Sequence, residues 1–213
     1  MFTKDDQRQI EQVVGRFGGV QKLPFTSEED ADMQELLSSA VFAVECENSL
    51  WKASQMPYYG SELRPMRRLG GELGLPKNAV LPTVIVKEEG AVPLHDWQEQ
   101  RGVELHIWHV FYDMAFGIAL DTVEELVGSG KIEPTVQVFQ APGGATTRKE
   151  IYKIYYHYAY LLGEAREEPS LVADQIIDAN GHILPYVKFN GGQLELSSEA
   201  LKVLNESAGG AQR

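Results

Sequence analysis

The sequence predicts a single α/β domain. Segments with helical spacing alternate with short apolar strands along the 213 residues, and no shift in composition marks a domain boundary. With 43% apolar and 23% charged residues, the composition is that of an ordinary globular protein. We therefore expect one domain over residues 1–213, with a disordered tail over 206–213.

The first third of the chain is predicted to contain two helices and a strand. Apolar residues at helical spacing indicate a helix over residues 4–18. Ser27 is the expected N-cap of a second helix, over 27–39, because acidic residues follow it in the first turn. Alternating side chains predict a strand over 41–47, and a short helix is expected over 49–56.

Strands and helices are predicted to alternate through the middle of the chain. The run at 79–87 is almost continuously apolar, which is typical of a strand buried on both faces. Asp121 is the expected N-cap of a helix that ends near Gly128. The other elements predicted here are a helix over 94–101 and strands over 103–113, 115–120 and 133–140. The run over 115–120 is either a separate strand or a continuation of the preceding one after a bend.

Turn signals dominate the last third. The Tyr-rich stretch after residue 150 fits a strand and a helix about equally well. Asn180-Gly181 and Gly191-Gly192 predict hairpin turns between alternating runs. A final helix is expected after a cap at Ser197 or Ser198.

Charge and cysteine content limit the possible functions. The formal net charge of −12 argues against broad, non-specific nucleic-acid binding, although local basic clusters matter more than the total. Cys46 is the single cysteine, which excludes an internal disulfide and fits a reducing cytoplasm. The opening segment "MFTKDDQRQIEQ" lacks the apolar region of a signal peptide, and no run is long enough to span a bilayer. A cytoplasmic protein that does not enter a membrane is expected.

The strand predicted over 41–47 carries two carboxylates on one face. Side chains two residues apart in a strand project in the same direction, so Glu45 and Glu47 share a face. Like charges on an apolar strand need a proton or a cation to compensate them, and Mg²⁺ prefers carboxylate ligands. The alternative is that both side chains simply reach solvent, which is the commoner case for an isolated E-x-E. The apolar strand and the polar group that follows it favour a metal site.

Several segments together resemble the AccI-like group of type II restriction endonucleases. The resemblance rests on "VECENSLWKASQMPYYG", "LGLPKNAVLPTVIVKEE" and "HIWHVFYDMAFGIAL", and is strengthened by "VQVFQAPGGATTRKEIYK" and "NGHILPYVKF". It covers nearly the whole chain. It implies the restriction-endonuclease-like fold of PD-(D/E)-x-K nucleases, which is α/β with a mixed central β-sheet flanked by helices. It also implies a homodimer that cleaves double-stranded DNA with Mg²⁺.

In this family some enzymes replace the lysine of the active-site triplet with glutamate, which produces E-x-E. Glu45 and Glu47 match that variant as catalytic metal ligands. Lys52 is the candidate for contact with the scissile phosphate, although a solvated helix lysine is the commoner case. The family's first acid, on a preceding strand, has no counterpart. Two explanations are open: a helical carboxylate supplies it, or the chain lacks an N-terminal part of a longer enzyme, which the greater length of the family's enzymes favours. The helical candidates are Asp30, Asp32 and Glu35.

Polar and basic residues in three segments are the candidates for DNA contact. Gly-rich and Pro-rich surroundings would allow close approach to the phosphate backbone, and Arg can read guanine with two hydrogen bonds. Each segment could equally be an ordinary surface loop. The candidates are Asn48, Ser49, Arg64, Arg67, Arg68, Thr146, Thr147, Arg148, Lys149 and Lys153.

Other residues favour a structural interpretation. Lys87 ends a predicted strand, where charge commonly serves solubility. His106 and His109 are three apart on a strand, so they face opposite sides and do not form a joint metal site. The alternative function is a non-catalytic DNA-binding or protein-interaction module that retains the nuclease fold. A small-molecule enzyme ranks last, because no phosphate-binding fingerprint or nucleophile motif is present.

Overall fold

The computed structural model of the protein describes residues 7–140, 146–177 and 183–210. The α-helices in these ranges are α1 (Gln7–Arg16), α2 (Ala31–Ser38), α3 (Glu88–Arg101), α4 (Leu120–Gly128) and α5 (Ser198–Gly210). The strands are β1 (Phe42–Asn48), β2 (Arg64–Pro65), β3 (Leu73–Gly74), β4 (Thr83–Lys87), β5 (Glu104–Val110), β6 (Met114–Ala119), β7 (Thr135–Gln140), β8 (Thr146–Tyr155), β9 (Tyr160–Glu167), β10 (Ser170–Ile177), β11 (Ile183–Asn190) and β12 (Gln193–Leu196).

A mixed five-stranded sheet forms the centre of the fold, in the order β1-β5-β6-β9-β12. β1 runs parallel to β5, and the other neighbours are antiparallel. A second, antiparallel sheet has the order β4-β8-β7, while β10-β11 and β2-β3 form two-stranded ribbons. The α/β class predicted from the sequence is confirmed.

Apolar side chains fill the space on both faces of the central sheet. On one face, Leu105 and Ile107 of β5 join Val84 and Val86 of β4 in the largest buried cluster, which α4 also enters. On the other face, Ala200 of α5 packs against strand residues of β6 and β9. This arrangement follows from the alternation of side chains along β5, since successive residues enter different clusters.

Some local predictions were wrong. Asp30, and not Ser27, is the N-cap of α2, where its carboxylate accepts a hydrogen bond from the Asp32 amide at 2.9 Å. The helix expected over 49–56 is reduced to a 3₁₀ turn at Ala53–Gln55. β4 is buried on one face only, because Val84 and Val86 are enclosed while the alternate side chains are half-exposed.

The Tyr-rich stretch forms β8 and β9, joined by a 3₁₀ turn, so the strand alternative is the correct one. β10 and β11 form an antiparallel hairpin, whose predicted turn at Asn180-Gly181 lies outside the described residues. Gly191-Gly192 does not close a hairpin, because β12 leaves β11 and pairs with β9.

The C-terminal helix is longer than predicted. Ser197 caps it, as expected, by accepting a hydrogen bond from the Ala200 amide at 2.9 Å. The helix continues to Gly210 and so includes the first part of the segment expected to be disordered. Within the described ranges, no helix has the length and apolar character needed to cross a membrane.

Candidate functional site

Glu45 and Glu47 lie on the edge strand of the central sheet. In the parallel register, Glu45 is opposite Ile107 and Glu47 is opposite His109, so the two carboxylates share the face that carries the larger apolar cluster. The shared face matches the prediction. The degree of burial does not: Glu45 is exposed, and the Glu47 side chain keeps 31% of its surface accessible.

Lys87, which sequence reasoning assigned to solubility, contacts this pair. It is the last residue of β4, and its Nζ donates a hydrogen bond to Glu47 Oε1 at 2.6 Å. That hydrogen bond raises the pKa of Lys87 against the opposing effect of burial, with further contributions from the charges of Glu47, Glu45 and Glu89. Lys87 is therefore a firmly charged cation beside the carboxylates.

A narrow crevice of about 60 Å³ joins these residues. Its walls come from β1, β4, β5 and the first turns of α3, which begins directly after Lys87. Gly90 lies in the wall, and a Cβ added at this position would meet no atom within 4 Å. The space next to Gly90 is thus open, on the side of the crevice where the carboxylates lie. The floor of the crevice is apolar and includes Ile107.

His109 lies across the strand pair from Glu47 and is 3% exposed. Its ring packs on Phe111 with the centroids 4.7 Å apart, and its Nδ1 has no hydrogen-bond partner among the described residues. Burial lowers the pKa of His109 to about 4, although the charge of Glu47 acts in the opposite direction. The imidazole is therefore neutral at pH 7. The burial of His109 could have been predicted from the sequence, because this residue continues the apolar alternation along its strand.

His106 faces the other side of the sheet, as predicted. Its Nδ1 lies 3.0 Å from the Tyr160 hydroxyl, and that hydroxyl accepts a hydrogen bond from Trp108 Nε1 at 3.0 Å. Its Nε2 lies 3.3 Å from the Ser207 hydroxyl of α5. These contacts give His106 a structural role remote from Glu45 and Glu47.

Lys52 lies in a different environment from the one predicted. Its Nζ lies 2.5 Å from Glu168 Oε1 and 5.0 Å from the centre of the Tyr112 ring. The sequence placed it on a helix behind the carboxylate pair, but that helix is absent from this stretch and the chain turns toward the β9–β10 connection instead. Lys87 is the lysine that contacts Glu47.

The helical acids proposed as the first active-site carboxylate are held elsewhere. Asp30 caps α2, and Asp32 and Glu35 both pair with Arg16 of α1. The two contacts made by Arg16 join α1 to α2. No group of three or more His, Cys, Asp or Glu side chains placed to hold a metal ion is found in the described part of the chain.

The predicted DNA-contact residues are dispersed. Asn48 ends β1 and Ser49 follows it, with the Ser49 amide donating to the Val110 carbonyl at 2.8 Å. The segment expected to be a recognition loop begins β8, where residues 146–151 pair with β7. The residues of this segment are Thr146, Thr147, Arg148 and Lys149, the last of which pairs with Glu89.

Three arginines follow the 3₁₀ turn at Ala53–Gln55, and one of them, Arg68, lines a cleft together with other cations. Arg64 lies in β2, and Arg67 and Arg68 form a 3₁₀ turn. The Arg68 guanidinium donates to the Leu75 carbonyl at 2.7 Å and lines a cleft that Lys153 of β8 also lines.

Three comparisons with known proteins, against family models, curated proteins and solved structures, found no match. The AccI-like resemblance therefore stays a prediction.

Proposed function

We propose that the protein is a Mg²⁺-dependent site-specific endodeoxyribonuclease of the restriction-endonuclease-like fold, acting on double-stranded DNA as a homodimer. The observation that carries the proposal is the contact between Lys87 and Glu47, with Glu45 on the same strand face. Two carboxylates and a lysine at one crevice are the side chains that metal-assisted phosphodiester hydrolysis uses. The mixed central sheet with helices on both faces is compatible with that fold.

The donor set fits Mg²⁺, because this ion takes one or two carboxylates and completes its shell with water and phosphate oxygens. Glu45 and Glu47 would hold it, and when bound it would polarise the scissile phosphodiester and lower the pKa of the attacking water. Lys87 takes the role that the sequence interpretation assigned to Lys52. Its ammonium group would donate hydrogen bonds to a non-bridging phosphate oxygen. His109, opposite Glu47 on the neighbouring strand, would place a neutral ring beside that carboxylate.

The test is cleavage of plasmid DNA in Mg²⁺. The wild type is expected to produce discrete fragments. The double variant Glu45→Gln/Glu47→Gln keeps the shape of both side chains but removes their charge, and should cut at least about 100-fold more slowly. Glu206→Gln is the matched control, because that carboxylate is 68% exposed on α5, which covers the opposite face of the sheet.

Two outcomes would contradict the proposal. Equal cleavage by the wild type and the double variant would remove Glu45 and Glu47 from the site. A wild type that binds duplex DNA but cuts in neither Mg²⁺ nor Mn²⁺ would favour the non-catalytic module. One observation supports that second candidate, namely that the Lys87 ammonium group compensates the charge of Glu47.

A further inference from the structure

A basic cleft lies beside the second sheet, away from Glu45 and Glu47. It has a volume of about 360 Å³, which is within the range of small-ligand sites. Four cations line it against one carboxylate, Glu133. The cations are Arg68, Lys77, Lys131 and Lys153. This local excess of positive charge contrasts with the net charge of the whole chain, which is −12.

The four cations are exposed, and none forms a salt bridge with a carboxylate among the described residues. Other described lysines, such as Lys52, Lys149 and Lys188, do pair with acids. Unpaired cations facing a common cleft repel one another, and an anion bound there would relieve that repulsion.

Two tyrosines form part of the same cleft. The rings of Tyr155 and Tyr158 are nearly parallel, at 19°, with centroids 6.5 Å apart. Both are half-buried and both line the cavity. Burial, followed by the charges of neighbouring Tyr155 and Glu72, raises the pKa of Tyr158, so its phenol stays neutral. Neutral aromatic faces of this kind stack on nucleobases with little preference for sequence.

We propose that this cleft binds a nucleotide, with its base against Tyr155 and Tyr158 and its phosphate among Arg68, Lys77, Lys131 and Lys153. Cations alone would fit any anion, and tyrosines alone any planar ring. Their combination in one cavity selects a ligand that carries both groups. Glu133 would disfavour ligands with a second anionic group at its end of the cleft.

The position of the cleft relates it to the proposed active site, and this part of the inference rests on the proposed nuclease function. Thr83 of β4 lines the cleft, and Lys87 lies four residues further on the same face of that strand. Four strand residues span about 13 Å, which corresponds to roughly four nucleotides of B-form rise. One DNA strand can therefore reach both places, and the nucleotide in the cleft would belong to the substrate strand, with its base turned out of the duplex.

The experiment measures fluorescence anisotropy of a labelled single-stranded hexadeoxynucleotide in EDTA, where no cleavage occurs. Tyr155→Leu should weaken binding roughly 5- to 100-fold, the range expected for the loss of one stacked base, while Tyr155→Phe should bind like the wild type. Lys131→Ala and Lys153→Ala should each weaken binding and reduce the slope of log affinity against log salt by about 0.7. Lys202→Ala is the control, since its side chain is also exposed but lies on α5.

A hexamer with an abasic site at each position in turn tests the base contact, and should lose affinity at one or more positions. Competition by the mononucleotide dAMP then separates two cases. If the cleft binds a nucleotide within a strand, dAMP displaces the labelled hexamer only weakly. If the cleft binds a free nucleotide, dAMP displaces it as well as the unlabelled hexamer does. Equal binding by the wild type, Tyr155→Leu and Lys131→Ala would overturn the proposal, as would a wild type without measurable affinity.

The two proposals can fail separately. Glu45→Gln/Glu47→Gln should bind the hexamer with unchanged affinity, because the cleft contains neither residue. Loss of cleavage with intact hexamer binding leaves the cleft assignment standing. Circular dichroism and the melting temperature of each variant show that a lost affinity does not reflect unfolding.

Discussion

Lys87 Nζ lies 2.6 Å from Glu47 Oε1, although 40 positions separate the two residues in the chain. The contact joins the two main sheets, because Glu47 belongs to the edge of the central sheet and Lys87 to β4 of the second sheet. It also places a cation beside the strand face that carries Glu45 and Glu47. The proposed active site depends on this contact.

Replacing Lys87 by Met removes the cation and keeps much of the apolar length. Cleavage of plasmid DNA is expected to fall roughly 100-fold, because the phosphate loses a charged donor. Folding stability should change by less than about 1 kcal/mol, since the salt bridge is partly exposed to solvent. Steady-state cleavage and urea unfolding measure the two effects. Lys202→Met is the control, and wild-type cleavage by Lys87→Met would exclude a role for the lysine.

Asp113 organises the chain after β1. Its carboxylate accepts hydrogen bonds from the Ala53 amide at 2.7 Å and from both the amide and the hydroxyl of Ser54. Burial raises the pKa of Asp113, but the bonds from Ser54 and Ala53 outweigh burial and lower the pKa below its ordinary value. Asp113→Asn should therefore reduce the free energy of unfolding by about 1–3 kcal/mol at pH 7.

The pH dependence of that loss follows from the lowered pKa. Stability supplied by the carboxylate is complete above the unfolded pKa of about 3.9 and disappears as pH falls through the folded value. Urea unfolding of the wild type and Asp113→Asn should therefore differ most at pH 7 and converge below about pH 4. A constant difference across this range would show that the charge of Asp113 is not responsible.

Gly117 of β6 leaves room for the ring of Tyr160, its partner on the neighbouring strand β9. A Cβ at position 117 would lie 2.4 Å from Tyr160 Cζ, so Gly117→Ala must displace the ring that contacts His106. A loss of about 1–3 kcal/mol is expected. Gly15→Ala in α1 is the matched control, because no atom lies within 4 Å of its added methyl group and it should stabilise the helix by about 0.5–1 kcal/mol. Thermal unfolding of both variants makes the comparison, and equal melting temperatures would contradict it.

His106 should make the fold sensitive to mild acid. Burial lowers the pKa of His106, while the charge of Glu104 and a hydrogen bond to it act in the opposite direction. The unfolded chain takes up the proton near pH 6.5 and the folded chain only at lower pH, so stability falls as pH drops through this window. Urea unfolding between pH 7 and pH 5 should show the fall.

His106→Asn should make that pH dependence shallower. It should not abolish it, because the pKa of buried His109 is also lowered, to about 4. An unchanged slope in His106→Asn would show that His106 does not contribute, and His157→Asn, with a half-buried ring, serves as the control.

The sequence by itself determined the directions of side chains within single elements. Strand alternation placed Glu45 and Glu47 on one face and separated His106 from His109, because side chains two residues apart project together whatever surrounds the strand. It also predicted the α/β class and the Ser197 cap. The helix expected over 49–56 failed because Asp113, 60 positions from Ala53, caps only a short turn there.

Only the tertiary structure decided which distant residues meet. No local pattern relates Lys87 to Glu47 or Lys52 to Glu168. Nor does one relate Tyr155 and Tyr158 to the cleft that Arg68 lines. Each of these arrangements depends on which strands and loops become neighbours. The exposure of the carboxylate pair was decided in the same way. An apolar strand predicts burial, but β1 forms the sheet edge with a neighbour on one side only, and Glu45 therefore reaches solvent.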